Sequence, residues 1–99
     1  MLKIGNLSLK NRLIMAPMAG ITNPPFRLIA KRLGAGLVVT EMVSAVGLSR
    51  GHEKTLRYLD GSSEEKPLSV QIFGADPQIM AMAAEIAVEK GADLVDINM

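Results

Sequence analysis

Cysteine is absent from the 99 residues of this chain. There is then no disulfide, no thiolate metal site and no cysteine nucleophile within them, which fits a reducing compartment. Tryptophan is absent too, and aromatic residues make up only 3% of the chain, so a packed core here is aliphatic. The single histidine, His52, sits beside Glu53 and Lys54 in a charged stretch. It has no second histidine with which to build a metal site, and no metal is expected. No sign of charge dominates: the net charge is +1, which argues neither for nor against nucleic acid. No segment approaches the ~18 apolar residues of a membrane helix. Pro17 breaks the one apolar run worth weighing, and Lys3, Lys10, Asn11 and Arg12 interrupt the residues before it. A signal peptide is not expected, and a cytoplasmic protein with no membrane contact is.

What is present favours a globular domain. Hydrophobic residues account for 48% of the chain and methionine for seven positions. That composition speaks against disorder and suffices for one small domain, residues 1–99, with its own core. The methionines read mostly as flexible core filler at helical spacing.

Taken in order, Leu2-Lys3-Ile4 and Leu7-Ser8-Leu9 alternate around Gly5-Asn6, a hairpin signal. So short a hairpin needs a larger structure to close against. Arg12 to Met18 reads as a strand apolar on both faces, as in a buried parallel sheet. A turn of small residues follows. Thr22 or Asn23 can cap the next helix and Pro24 suits its first turn. Phe26, Ile29, Ala30 and Leu33 form that helix's apolar stripe, leaving Arg27, Lys31 and Arg32 on a solvated face or against phosphate. Gly34 or Gly36 ends it. Leu37 to Thr40 is a second strand, with Glu41 at its carboxyl end.

Met42 to Gly51 has no clean period and reads as a long loop with at most one helical turn. His52 to Leu59 reads as a short helix closed by Asp60-Gly61, and Ser62 to Lys66 as a polar loop. Leu68 to Phe73 is the third strand, with Ser69, Gln71 and Phe73 on one face and Leu68, Val70 and Ile72 on the other. Asp76-Pro77 opens a helix whose stripe is Ile79, Met82, Ala83 and Ile86, and Gly91 ends it. In Leu94 to Asn98, the fourth strand, Val95 and Ile97 face the helices while Asp96 and Asn98 face away.

Strands alternating with helices imply a parallel sheet with right-handed crossovers. Gln71, Asp96 and Asn98 fall near carboxyl ends on the face opposite the aliphatic one. In a barrel that face points to the mouth, where function is built. The expected fold is therefore α/β, the N-terminal half of a (β/α)8 TIM barrel: a hairpin plus about four parallel strands, where a complete barrel takes ~250 residues.

Ala-Pro-Met-Ala-Gly-Ile-Thr-Asn-Pro-Pro-Phe-Arg from Ala16, Thr-Glu-Met-Val-Ser-Ala from Thr40, Pro-Leu-Ser-Val-Gln-Ile-Phe-Gly from Pro67 and Asp-Ile-Asn-Met from Asp96 occur in this order. Together with the opening Leu2 to Gly20, they resemble the tRNA-dihydrouridine synthases over the whole chain, nearest the bacterial B-type subgroup. The resemblance implies an FMN-binding barrel followed by a helical domain that grips tRNA. It also implies an oxidoreductase that reduces the C5–C6 bond of uridines in tRNA, with NADPH reducing the flavin. By position, Pro17, Met18 and Ala19 would contact the flavin largely through backbone. Gln71 would bond the polar edge of its ring, Asn98 would stand beside uridine and flavin, and Glu41 would line the same mouth.

Two departures matter. Asn23 stands where the family usually has Asp; either residue caps a helix. In the family the Asp-Ile-Asn-Met motif continues into Gly-Cys-Pro, whose cysteine is the general acid, and this chain stops at Met99. The catalytic cysteine is therefore expected beyond the chain, and the 99 residues alone are expected to be inactive.

Blander readings stand beside these. Gln71 could be a core amide satisfied by backbone, Asp96 a partner to a cation or backbone amide, and Asn98 a turn cap. As a whole, the chain could belong to another FMN barrel oxidoreductase, such as a dihydroorotate dehydrogenase or an old-yellow-enzyme relative. It could also be a non-catalytic half-barrel that self-associates through open strand edges.

Overall fold

Gly5 takes φ 57° in the turn that joins β1 (Leu2–Ile4) to β2 (Leu7–Leu9), so the expected hairpin forms, with Leu2 opposite Leu9 and Ile4 opposite Leu7. The computed structural model describes residues 2–60 and 63–99. After the hairpin come β3 (Ile14–Met15), α1 (Pro24–Arg32), β4 (Leu37–Val39), β5 (Val43–Ser44), α2 (Ala45–Ser49) and α3 (Glu53–Leu56). Two 3-10 turns, Arg57–Leu59 and Ser63–Glu65, lead to β6 (Leu68–Phe73), α4 (Pro77–Glu89) and β7 (Leu94–Ile97).

The main sheet is parallel throughout and runs β3, β4, β6, β7, with β5 lying beyond β4 along the same edge of β6. Residues in register share a face. Met15, Val38 and Leu68 are in line, as are Val70 with Val95. These residues and Ile72 meet Ala30, Leu48, Ala83 and Ala87 of the helices in one core. On the other face Ile14, Leu37, Val39, Ser69 and Leu94 surround a hollow that Ile4 of the hairpin enters at the amino-terminal ends of the strands. All helices contributing to the core thus lie on one side, and the hairpin on the other. This one-sided layering is the N-terminal half of a TIM barrel, not an open doubly wound sheet.

The first strand is shorter than the expected Arg12–Met18. The Asn11 side chain folds the chain before it, donating to the Gly34 carbonyl (2.7 Å) and accepting from the Leu13 amide (2.9 Å). Helix α1 is capped by Asn23, not Thr22: its side chain accepts from the Phe26 amide (3.0 Å), and Pro24 takes the first turn. Its buried face is not the expected one. Arg27 is fully buried (0% exposed), whereas Ile29 and Leu33 are 58% and 84% exposed.

A solvated Arg27 is therefore corrected, for a physical reason. Its guanidinium donates to Glu65 Oε1 (2.6 Å), the Thr22 carbonyl (3.1 Å) and the Asp60 carbonyl (2.8 Å). Polar satisfaction, not apolar area, decides which face of this helix turns inward. The neighbouring Arg32–Glu64 pair is bidentate but exposed. Hydrogen bonds from Arg32, then its charge, hold the Glu64 carboxyl below its ordinary value. The small contribution of this screened pair is present at neutral pH and is lost as pH falls through that lowered value.

Met42 to Gly51 is more ordered than its composition suggests. It supplies β5 and α2, with Ser44 capping α2 through the Gly47 amide (3.1 Å). A Cβ at Gly47 would lie 2.5 Å from Thr55 Oγ1, so α2 and α3 approach too closely there for a side chain. The expected helix over His52–Leu59 divides into α3 and a 3-10 turn, with His52 exposed. Gly61 and Ser62 lie outside the described residues.

Helix α4 begins as expected, Asp76 accepting from the Gln78 and Ile79 amides (2.8 and 3.2 Å) with Pro77 after it. Its innermost residues are Ala83 and Ala87, while Met82 is 50% exposed. The methionines are mostly not core filler: Met15 and Met80 pack against the core, but Met18, Met42, Met82 and Met99 are exposed. Ile97, expected against helices, is also exposed and borders a hollow beside Met80 and Ala84 of α4. Among the described residues, no helix is long and apolar enough to cross a membrane.

Candidate functional site

The segment after β3 is shaped by its own short hydrogen bonds. The Met18 carbonyl accepts from the Ile21 and Thr22 amides, each at 3.0 Å. The buried Thr22 hydroxyl accepts from the Met18 amide (3.1 Å) and donates to the Met18 carbonyl (3.2 Å). Gly20 has φ 77°, a left-handed conformation that suits glycine. Its amide donates to Glu41 Oε1. The result is a tight turn that leaves Ala16, Met18, Ala19 and Gly20 exposed. Pro17, half-buried, lines the inner hollow together with Val39, Ser69 and Asp96.

Glu41 is brought to this end of the sheet by an irregularity in the strand. Val39 pairs with Ser69, but Val43 pairs with Ile72, so the register slips by one residue between them. That is the geometry of a β-bulge, which re-aims side chains. Across the break the Thr40 amide donates to the Ser69 carbonyl (3.0 Å). The Thr40 hydroxyl accepts from the Gln71 amide (3.1 Å) and donates to the Glu41 carbonyl (2.8 Å). A side chain thus stands in for the missing ladder bond. Glu41 itself is buried and braces the turn at Gly20.

Thr40→Val keeps the shape and removes the hydroxyl. It is expected to cost about 1–3 kcal/mol, the penalty for a buried amide left without its partner. The midpoint in chemical denaturant should fall, and exchange of the Gln71 amide proton should accelerate. An unchanged midpoint would show that the bulge does not depend on this hydroxyl.

Gln71 is 7% exposed and sits where β6 meets β7. Its Nε2 donates to Asp96 Oδ2 at 2.6 Å, and its Oε1 accepts from Asn98 Nδ2 at 3.4 Å. The short bond is charge-assisted and the stronger of the two. So Gln71, Asp96 and Asn98 are joined in one chain of side chains. Asp96 bonds a side-chain amide, where a cation or backbone amide was expected, and Asn98 turns to Gln71. The backbone amide of Asn98 continues the ladder to the Ile72 carbonyl (2.9 Å).

Strand alternation alone places Gln71, Asp96 and Asn98 on one face. The bracing by Thr40, Thr22 and Glu41 had no such signal, because it depends on a bulge and a turn rather than on a period. With these two bonds made, Gln71 still has one Nε2 proton and acceptor capacity on Oε1. The inner hollow beside Pro17 and Asp96 measures about 370 Å³. A larger one, about 650 Å³, lies on the helix side between α4 and the end of β7. It is lined by Ile72, Met80, Ala84, Ile97 and Asn98 among others and holds no titratable side chain. Among the described residues there is no group of three or more His, Asp or Glu able to hold a metal.

A half-barrel whose polar side chains gather at the carboxyl ends of its strands belongs to the class of barrel proteins with their working face at the mouth. Within that class the family is specific. The dihydrouridine synthase (Dus) family profile matches residues 14–99, and the chain belongs to that family.

It is similar to tRNA-dihydrouridine synthase B of Pseudomonas aeruginosa, 52% identical over 99 residues. It is similar also to the proteins of the same name from Pseudomonas putida, 51% identical, and Xanthomonas axonopodis pv. citri, 49% identical, each over 98 residues. These matches cover 98 to 99% of this chain but only 29 to 30% of each relative. The chain thus spans less than a third of the length of the curated relatives it matches.

Proposed function

We propose that residues 1–99 form the amino-terminal part of the FMN-binding barrel of a tRNA-dihydrouridine synthase, an oxidoreductase that reduces the C5–C6 bond of uridine in tRNA. The observation that carries this reading is one inner hollow lined both by Pro17 of the mouth turn and by Asp96, the residue to which Gln71 is bonded. The rest of the barrel, the general-acid cysteine and the tRNA-gripping domain belong, in this reading, to the remainder of the longer protein. NADPH is the proposed reductant, and the cytoplasm the proposed site of action.

The donor set fits the ring of the cofactor. The exposed Ala16, Ala19 and Gly20 lack bulk, so a planar ring can approach the backbone of the turn. The Gln71 amide offers both a donor and an acceptor, as the polar edge of a flavin requires. Pro17, Met18, Ala19, Glu41, Gln71, Asp96 and Asn98 include no cation, so the phosphate is held by other parts, as barrels commonly do with their later loops. When bound, the flavin supplies hydride chemistry. The residues of this chain orient it: Gln71 grips the ring edge, the turn sets the floor, and Glu41 and Thr22 hold the turn in shape. Asn98, at the end of β7, stands where flavin and base would meet.

The test is FMN binding by the full-length protein. It should retain FMN on purification, and Gln71→Ala should weaken binding by about tenfold, the equivalent of one lost hydrogen bond of about 1.4 kcal/mol. A protein that ignores added FMN, or a Gln71→Ala variant with unchanged affinity, would overturn the site assignment.

A further inference from the structure

We infer that Asp96 is a positioning residue that decides which end of the Gln71 amide faces the ligand. This rests on the flavin reading above and extends it to a residue with no assigned part. A glutamine amide is nearly symmetric in shape, and nothing in its own geometry distinguishes its oxygen end from its nitrogen end. An ionised carboxylate can only accept, so a carboxylate at 2.6 Å admits the nitrogen end and excludes the oxygen end. Asn98 Nδ2, on the other side at 3.4 Å, donates to the Gln71 oxygen, but as an amide Asn98 could equally turn to accept and so does not itself choose the orientation.

Asp96 therefore selects the orientation, and Asn98 follows it. The register that sets Gln71 beside Asp96 fixes the distance, and the Thr40 hydroxyl fixes the Gln71 backbone from the opposite strand. The amide is left with one N–H and one oxygen lone-pair direction in a defined order. That order matches a ligand edge on which an acceptor adjoins a donor, as on the imide edge of an isoalloxazine. With the ligand held in place, reversing the amide would set donor against donor and acceptor against acceptor.

Asp96→Asn is the informative change, because a carboxamide of the same shape can donate or accept and so tolerates both orientations. Full-length protein labelled with 15N at glutamine provides a readout free of the cofactor, with Gln71→Ala identifying the resonances. In the unsubstituted protein one Gln71 side-chain proton should be displaced downfield by its bond to the carboxylate. Asp96→Asn should reduce that displacement, because a neutral amide oxygen accepts more weakly than a carboxylate and only in one of the two orientations. Asp96→Ser, a second variant, guards against a folding defect in the first.

FMN titration gives the functional readout. Asp96→Asn should weaken binding about twofold, as expected when half of the amides face the wrong way, and in a Gln71→Ala background it should add no further loss, because a residue acting through Gln71 has nothing left to position. An unchanged Gln71 spectrum in both Asp96 variants would overturn the proposal. So would a loss of the same size that persists without Gln71, which would show Asp96 touching the ligand itself. If the unsubstituted protein binds no FMN, the flavin reading fails, and the amide spectrum alone then decides the part played by Asp96.

Discussion

Arg27→Met is expected to destabilise the protein by about 3–5 kcal/mol, the cost of breaking a buried ion pair from one side. At about 4–8 °C per kcal/mol for a domain of this size, the thermal midpoint should drop by more than about 12 °C. The size of the effect follows from what the guanidinium holds together. It joins α1 to Glu65 in the 3-10 turn before β6, to the Asp60 carbonyl and to the Thr22 carbonyl at the end of the mouth turn. Methionine fills the volume and supplies none of these bonds, and Glu65 stays buried without this guanidinium. Arg27→Lys, which keeps the charge but lacks the planar fork, should fall between the two. Replacing both partners by apolar residues should recover part of the loss, since the charge left behind is then removed as well. A midpoint within a degree or two of the parent for Arg27→Met would show that the pair is dispensable.

Leu48→Ala is expected to cost about 2–5 kcal/mol, within the range for emptying a buried leucine site. Leu48 is 1% exposed and belongs to α2, a helix of five residues. So short a helix has no stability of its own and exists only through its packing. It is held by Ala45 and Leu48, which enter the core formed by Val43, Val70 and Ile72 with Ala83 and Ala87 of α4. Emptying the Leu48 site should therefore also loosen α2, seen as faster amide exchange from Val46 to Gly51 at conditions where β6 remains protected. A loss below about 1 kcal/mol would mean that α4 closes the gap.

Much of the fold is legible in the amino-acid sequence where local chemistry and tertiary packing agree. Gly5-Asn6 gives the hairpin, Asp76-Pro77 gives the start of α4, Gly91 its end, and the alternation in Leu68–Phe73 gives both faces of β6. Legibility fails where the two conflict. Helix α1 carries a clear apolar stripe, yet the deciding contact is polar, and Glu65 lies 38 positions away from Arg27. Met42–Gly51 shows no period because a bulge shifts the strand midway and the helix after it is too short to express one.

The site divides the same way. The shared face of Gln71, Asp96 and Asn98 can be read from parity in two strands, and the family resemblance points to Gln71 and Asn98. The partner of Asp96 and the buried brace formed by Glu41 cannot, since each is a choice among several acceptors or donors that only the folded chain resolves.

The bulge at Thr40–Met42 turns a stretch of chain into a counting device. Before it, odd-numbered Val39 faces the hollow; after it, odd-numbered Val43 faces the helices. Length between these two valines is therefore not free in the way that loop length usually is. Losing one residue there would restore a uniform alternation with Val43 still opposite Ile72, but it would remove the bulge that aims Thr40 and Glu41 and so carry Glu41 away from Gly20. Variation among related chains should accordingly concentrate in residue identity at Met42 and not in insertions or deletions between Val39 and Val43.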